Sequence, residues 1–345
     1  MPFITLVPTR QTFAAEAGET VLDAALRAGL NLPHSCKGGH CGSCRARVLH
    51  GRFVYPRGRT AGLTEEEEAE GYALLCAAHA RSDLEVETRE IRAAPDVEIK
   101  SLPCRIERLT QIAGDVMSVM LRLPAVEEFH FRPGQYLDVM VGRGRRRSFS
   151  IASAPSDGRE LELHVRRASS TGFTGQLFDS MTVGTLLRIE GPLGQFWLRG
   201  ESPRPPIMIG GGTGYAPLRA MLRQLIADGD RRRLALYWGA RTGSDLYEHD
   251  WLRALERERP GFSYRPVLSE PSPGDDRWSG RTGLVHAAVL ADFPDLAGFD
   301  VYASGPPAMI ESIRADFAVR GLPREQLYFD SFDYAPDTLA RMQGG

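Results

Sequence analysis

Three cysteines crowd one loop, in the stretch His34-Ser35-Cys36-Lys37-Gly38-Gly39-His40-Cys41-Gly42-Ser43-Cys44-Arg45. Their C-x4-C-x2-C spacing is followed, after a longer gap, by a lone fourth thiol at Cys76. This is the plant-type ligand spacing for a 2Fe-2S cluster, in which each iron takes two thiolates. A structural zinc site usually draws its ligands from two C-x2-4-C hairpins, so three cysteines in one loop and one apart favour the cluster over zinc or plain buried thiols. Gly38, Gly39 and Gly42 suit a loop that needs φ > 0 and backbone amides turned toward inorganic sulfide. Lys37 and Arg45 are expected to offset part of the negative charge. The fifth cysteine, Cys104, opens the run Cys104 to Leu109, which reads as a strand, and a small buried thiol is its expected role.

A second chemical feature lies far downstream. The apolar run Ile207-Met208-Ile209 enters Gly210-Gly211-Gly212-Thr213-Gly214-Tyr215-Ala216-Pro217, and a helix Leu218 to Ala227 follows. Glycines let a backbone approach a pyrophosphate closely, and a helix N-terminus then stabilises the anion. Proline near the helix start fits the same boundary. Between these two features stand three more stretches: Phe131-Arg132-Pro133-Gly134-Gln135-Tyr136 feeding a strand Leu137 to Val141, then Arg147-Ser148-Phe149-Ser150-Ile151-Ala152, then Gly172-Phe173-Thr174-Gly175 opening a helix Gln176 to Met181.

The elements that must position these residues change in period along the chain. The opening Phe3-Ile4-Thr5-Leu6-Val7 alternates as a strand, and a second strand lies near Gln11 to Ala14. Thr20 caps a helix Val21 to Ala28 that Gly29 ends. After the cysteine loop come a strand Ala46 to Leu49, a Glu-rich helix behind Thr64 that leads to Tyr72-Ala73-Leu74-Leu75-Cys76, and a strand Leu84 to Thr88. Ile91 to Lys100 has no period and reads as a linker. From Leu102 short alternating runs broken by Gly and Pro suggest an antiparallel barrel. Beyond Ser202-Pro203-Arg204-Pro205-Pro206 strands and helices alternate: Leu234 to Trp238 with a helix near Glu248 to Arg257, Tyr264 to Leu268 with Val285 to Leu290, and Val301 to Ala303 with a helix Pro307 to Arg320. Apolar strands of this kind read as a parallel sheet covered on both faces.

The composition bounds the rest. The 345 residues are 42% hydrophobic and 25% charged with a net charge of −2, which fits several globular cores and gives no reason to expect a nucleic-acid partner. No apolar run approaches the ~20 residues of a membrane-spanning helix. The start of the chain reads as a strand instead of a signal peptide, and cysteines spent on a cluster argue against disulfides, so a reducing, cytoplasmic setting is expected. Between Asp23 and Thr64 there is no acidic residue, while Lys37, Arg45, Arg47, Arg52, Arg57 and Arg59 are basic. A solvated face explains this pattern; the functional alternative is a patch near Lys37, Arg45 and Arg47 that docks an acidic partner.

With these residues in view the chain resembles known families. The first ninety or so residues resemble the β-grasp ferredoxin fold. The middle resembles ferredoxin-NADP reductase-like flavoproteins, whose R-x-Y-S/T strand motif stands here as Arg147-Ser148-Phe149-Ser150. The resemblance implies that Arg147 clamps the pyrophosphate of the flavin, Phe149 lies against the isoalloxazine and Ser150 bonds its edge. It also implies that Gly172 and Thr174 cradle the diphosphate, which favours FAD over FMN. Phe149 replaces the usual Tyr. The turn Gly210, Gly211, Gly212, Thr213, Gly214 has the form that family uses for NAD(P)H. Ser304-Gly305-Pro306-Pro307-Ala308-Met309 is similar to its C-G-P-P-x-M stretch beside the nicotinamide, with Ser304 for the Cys. Phe332 falls where the family shields the flavin's open face.

The whole chain resembles the single-chain NAD(P)H reductases of multicomponent oxygenases, and also the CDP-6-deoxy-glucoseen reductases. The resemblance implies a ferredoxin domain at 1–92, a linker at 93–100, an FAD-binding β-barrel at 101–202, a Rossmann-like NAD(P)H domain at 203–335 and a tail at 336–345. It implies electrons passing from NADH through FAD to the cluster, then singly to an oxygenase, or alternatively to a CDP-4-keto-6-deoxyglucose 3-dehydratase. Arg241 suits either nicotinamide cofactor and Asp245 suits a cap for the helix that follows; NADH is the expected donor, with NADPH the alternative. A redox sensor without turnover on the same scaffold is the reading of another class. Plant-type clusters lie near about −400 mV, low for a nicotinamide donor, so the loop is expected to raise the potential.

Overall fold

Thr20 and Thr64 show how local sequence starts the elements. Each has extended backbone and accepts a hydrogen bond from the amide three residues on, and Glu67 returns the bond to Thr64 in a capping box. The computed structural model describes residues 1–332 except 31, 35–36, 40–41, 57, 59, 61, 89–96, 143–144 and 272–277. It forms two compact units: residues 1–99 with 192–195, and the remainder.

The first unit runs β1 (Phe3–Val7), β2 (Thr12–Ala14), α1 (Val21–Arg27), β3 (Arg45–His50), β4 (Phe53–Val54), α2 (Glu65–Ala69), β5 (Tyr72–Leu74), β6 (His79–Ala80) and β7 (Leu84–Glu87). Its sheet has the order β2-β1-β7-β3-β5, with β1 and β7 parallel and the other pairs antiparallel; β4 and β6 make a separate ribbon. The buried face of α1, Val21, Leu22, Ala24 and Ala25, shares one core with Ile4, Leu6, Phe13, Leu74 and Val86. A mixed sheet grasping one main helix is the β-grasp arrangement. The Glu-rich helix is short: Gly71 at φ 86° breaks the chain after Glu70, and Tyr72–Leu74 continues as a strand.

The second unit begins with β8 (Lys100–Ala113), so Lys100, expected in the linker, already pairs in a sheet. β9 (Val116–Arg122), β10 (Tyr136–Met140), β11 (Arg146–Ser150), β12 (Glu160–Arg166), α3 (Gly172–Asp179) and β13 (Leu186–Leu193) follow. The order is β11-β10-β13-β8-β9-β12, and a bridge between Ile151 and Leu163 joins the two ends into a barrel. Alternation along β12 points Leu161, Leu163 and Val165 inward, with Ile106, Val119 and Val139. Cys104 lies in this core, and burial pushes its thiol up to about 12, so it is an inert buried thiol. α3 starts at Gly172, earlier than Gln176, and ends at Asp179. The Ser170 carbonyl passes 2.4 Å from where a Gly175 Cβ would stand, which lets the chain turn there.

Strands and helices then alternate: β14 (Pro206–Gly211), α4 (Tyr215–Ala227), β15 (Leu234–Ala240), α5 (His249–Glu258), β16 (Phe262–Leu268), β17 (Arg281–Thr282), α6 (Val285–Asp292), β18 (Asp300–Gly305), α7 (Pro307–Val319) and β19 (Leu327–Ser331). The sheet is parallel in the order β17-β16-β15-β14-β18-β19. One face packs with α4 around Met208, Leu218, Leu222 and Trp238, the other with α6 and α7 around Ile207, Val289, Val301 and Phe317. The strand order reverses at β14, between β15 and β18. In open parallel sheets that reversal leaves a crevice at the carboxyl ends of the strands, where ligands bind.

Candidate functional site: three cofactor cradles

In the first unit, Cys44 immediately precedes β3 and Cys76 follows β5. Arg45 pairs with Leu74 across the ladder, and the Leu75 amide donates to the Cys44 carbonyl at 3.1 Å, which brings the two cysteines to one end of the β3–β5 pair. Both are buried, at 3% and 7% exposure, and neither is in a disulfide. Cys36 and Cys41 lie outside the described residues. Gly39 and Gly42 adopt φ of 82° and 73°, the left-handed backbone that the loop was expected to need, and Lys37 joins them at 52°. Buried thiols beside such a loop are the donor chemistry a 2Fe-2S cluster takes. Arg45 is ion-paired with Glu67 and lies 5.0 Å over the Tyr72 ring, while Arg47 donates to the Glu70 carbonyl at 3.2 Å. Their charges are thus partly engaged within the unit.

In the second unit, the pairing of β10 and β11 sets Val139 opposite Arg147, Leu137 opposite Phe149 and Tyr136 opposite Ser150. Arg147 and Phe149 share one face of β11. The Phe149 ring lies 5.7 Å from Phe173, so α3, with Gly172 and Thr174 in its first turn, sits beside the same strand. Ser150 is buried, and its hydroxyl donates to Asp330 Oδ2 at 3.4 Å.

The glycine turn is compressed from several sides. A Cβ on Gly211 would stand 2.9 Å from Met309 Sδ and Pro306 Cδ, and one on Gly214 only 2.0 Å from the Ser304 carbonyl oxygen. A Cβ on Gly212 would stand 2.9 Å from Arg166 Nη1, and Gly305 packs on Gly211 itself. Gly210, Gly211, Gly212, Thr213, Gly214, Ser304, Gly305 and Pro306 are therefore brought together at the ends of β14 and β18. Ser304 is fully buried, and its hydroxyl has no hydrogen-bond partner among the described residues. A buried hydroxyl left unpaired costs free energy that a bound polar group recovers. A backbone cradle with an unpaired hydroxyl beside it fits a dinucleotide.

The register of β18 and β19 puts Ser304 opposite Asp330, and the Phe332 amide donates to the Gly305 carbonyl at 2.9 Å. The end of β11, the glycine turn and the last strand thus meet through Ser150, Asp330, Ser304 and Phe332. Neither Asp330 nor Arg166 was given a site role from the sequence. Arg166 ends β12 and Asp330 lies in an apparently ordinary strand; only the closure of the barrel onto the sheet gives them significance. Arg241 is 57% exposed with Asp115 at 3.6 Å, and Asp245 accepts the Thr242 amide at 3.1 Å, so it caps its own turn and not α5.

Fold and site together define an iron–sulfur flavoprotein oxidoreductase. Residues 4–81 match the model of the 2Fe-2S iron-sulfur cluster binding domain, 103–197 that of the oxidoreductase FAD-binding domain, and 208–315 that of the oxidoreductase NAD-binding domain. The chain is 38% identical over 330 residues to the CDP-6-deoxy-L-threo-D-glycero-4-hexulose-3-dehydrase reductase of Yersinia pestis, covering 95% of this chain and 98% of that one. It is 35% identical over 321 residues to the reductase component of propane 2-monooxygenase from Gordonia, covering 91% and 92%. The solved structure of the Amycolatopsis cytochrome P450 reductase GcoB superposes with a TM-score of 0.78 at 33% identity, covering 96% of this chain and 99% of that one. The chain belongs to the family of NAD(P)H-dependent reductases that combine a 2Fe-2S ferredoxin domain with FAD- and NAD-binding domains. It transfers electrons from NAD(P)H through FAD and a 2Fe-2S cluster to a partner protein. When bound, the nicotinamide supplies a hydride, the flavin takes both electrons, and the cluster hands them on one at a time. Among the described residues no helix is long and apolar enough to cross a membrane.

Proposed function

We propose that NADH is the physiological donor and that the partner is a dehydratase acting on a nucleotide-linked 4-keto-6-deoxy sugar. The observation that carries the partner is the 38% identity, across almost the whole of both chains, to the hexulose-3-dehydrase reductase of Yersinia pestis. NADH is supported by Asp115, which stands 3.6 Å from Arg241 and offsets the charge that a 2′-phosphate would need there. An oxygenase partner is the second reading, supported by the monooxygenase reductase component of Gordonia at 35%. NADH-driven product formation, measured in parallel with a CDP-4-keto-6-deoxyglucose 3-dehydratase and with an oxygenase component, separates the two. Turnover only with the oxygenase would overturn the first.

In this reading Cys36, Cys41, Cys44 and Cys76 hold the cluster. Arg147, Gly172 and Thr174 hold the FAD phosphates, Phe149 and Ser150 its ring, and Gly210 to Gly214 with Gly305 and Pro306 hold the nicotinamide nucleotide. Ser304 bonds the carboxamide and Phe332 covers the flavin's free face. The role of these side chains is to bind, orient and exclude water; none need act as a nucleophile. The acceptor docks in the cytoplasm on the basic face around Lys37, Arg45 and Arg47.

A further inference from the structure

A buried charged cluster outside the three cradles connects two of them. Arg219 lies one turn into α4, four residues after Tyr215, and its side chain is only 11% exposed. It donates from Nη1 to the Ala152 carbonyl at 3.0 Å and to Glu162 Oε2 at 2.9 Å, and from Nε to Glu248 at 2.8 Å. Ala152 stands two residues beyond Ser150, and its amide donates to the Glu162 carbonyl at 2.7 Å. Glu162, on β12, also takes a 2.7 Å bond from the Ser118 hydroxyl and lies 3.3 Å from His164 Nε2. On the far side, the Tyr215 hydroxyl donates to Glu248 at 2.6 Å and Tyr215 stacks on Trp238, whose indole N–H donates to the Gly212 carbonyl at 2.9 Å. An unbroken chain of contacts therefore runs from the glycine turn to the end of the flavin strand.

A well-packed apolar junction would hold two domains together at least as well, because burying charge is expensive. What a buried guanidinium adds is direction. Its planar fork is satisfied only when all three acceptors stand in one arrangement, which a lysine cannot reproduce. We propose that Arg219 and Glu162 are positioning residues for the two-electron step: by locking α4 to the end of β11 they fix a nicotinamide held by the glycine turn against a flavin held by β11. This rests on the cofactor roles proposed above for Arg147 to Ser150 and Gly210 to Gly214. Neither residue touches either cofactor in the proposal, so their effect is on orientation and not on affinity.

The test uses FAD-loaded, cluster-loaded full-length Arg219→Gln, Arg219→Lys and Glu162→Gln proteins. NAD+ titration of the oxidised protein, read from the flavin difference spectrum, gives affinity and ring geometry. Anaerobic stopped-flow bleaching of the flavin by NADH and by C4-deuterated NADH gives the rate and isotope effect of the step. A misplacement of about 1 Å can cost on the order of 100-fold in such a step. Arg219→Gln and Glu162→Gln should therefore bleach roughly 10- to 100-fold more slowly, with a full isotope effect and an altered difference spectrum, while NAD+ affinity stays within about 3-fold. Arg219→Lys should recover only part of the rate. If Arg219→Gln fails to retain FAD, Glu162→Gln, which keeps the side-chain shape, decides. Wild-type bleaching and an unchanged spectrum in a variant that holds FAD would overturn the proposal, as would a rate loss that merely tracks lost NAD+ affinity. Failure of the underlying cofactor assignment looks different: Gly214→Ala would then leave NAD+ affinity untouched.

Discussion

Gly214→Ala is the substitution whose consequence follows most directly from the packing of the glycine turn. Its φ of −59° is open to any residue, so backbone strain is not the issue. The difficulty is space: the added Cβ would stand 2.0 Å from the Ser304 oxygen, 2.5 Å from the Ser304 carbonyl carbon and 2.9 Å from the Gly305 nitrogen. All three are backbone atoms of β18, an interior strand paired on both sides, so no side chain can swing away. Restoring ordinary contact requires the turn and the strand to separate by roughly 1 Å, and overpacking of this kind costs about 1–3 kcal/mol. In the proposed arrangement the same separation would withdraw the helix N-terminus from the nucleotide pyrophosphate and move Ser304 from the nicotinamide. The purified variant should retain flavin and cluster absorbance, unfold at a lower temperature, and lose about 10- to 100-fold in kcat/KM for NADH. Dithionite should still reduce its cluster fully. A Gly214→Ala protein with wild-type melting temperature and wild-type KM would mean that the turn accepts the methyl group without separating from β18.

Four further outcomes are expected. Arg166→Gln, which removes the guanidinium beside Gly212, should raise the KM for NADH by about 10-fold or less with little change in kcat, measured by steady-state ferricyanide reduction. Asp330→Ala leaves the Ser150 hydroxyl without its 3.4 Å acceptor, and should shift the flavin absorption spectrum and slow flavin bleaching while FAD content is kept. Glu162 supplies a pH test. Burial pushes its carboxyl up, but bonds from His164 and Ser118 and the charge of Arg219 hold it down to about 2. A depressed carboxylate contributes stability above its unfolded pKa and loses it as pH falls through the folded value. About 3 kcal/mol should thus be present above roughly pH 5 and fade toward pH 2. The gap in urea stability between wild type and Glu162→Gln, followed by tryptophan fluorescence, should narrow from pH 6 to pH 3; a constant gap contradicts the assignment. Finally, the rate of acceptor reduction should fall steeply with ionic strength if the basic face docks an acidic partner, and a flat profile removes that idea.

Most elements could be read from the sequence because period and punctuation agree in them. The alternation of Phe3 to Val7, the Thr20 cap and the Ile207–Gly214–Ala216 transition each carry their own physical signal, and the structure forms elements there. Boundaries failed where a tertiary contact decides them. The start of α3 depends on Ser170 passing over Gly175, and β8 reaches back to Lys100 because Gly191 pairs with it across the barrel. The site was legible as motifs but not as a meeting place. Ser150 and Asp330 are 180 residues apart in the chain. Nothing local marks Arg219 or Glu162 either, since a charged residue on a helix or barrel strand normally faces water. Their burial arises only once the barrel and the parallel sheet pack as one unit.

A relay from NAD(P)H through FAD to the 2Fe-2S cluster works only if the cluster potential lies within reach of the donor. Anaerobic titration of the holoprotein with NADH, followed by flavin absorbance and low-temperature EPR on the same samples, tests it directly. Flavin bleaching together with a reduced-cluster signal approaching one spin per chain at modest NADH excess is the expected result if the loop raises the potential above the roughly −400 mV of plant-type clusters. A flavin that bleaches while the cluster stays oxidised, in a sample whose cluster dithionite then reduces, would contradict it.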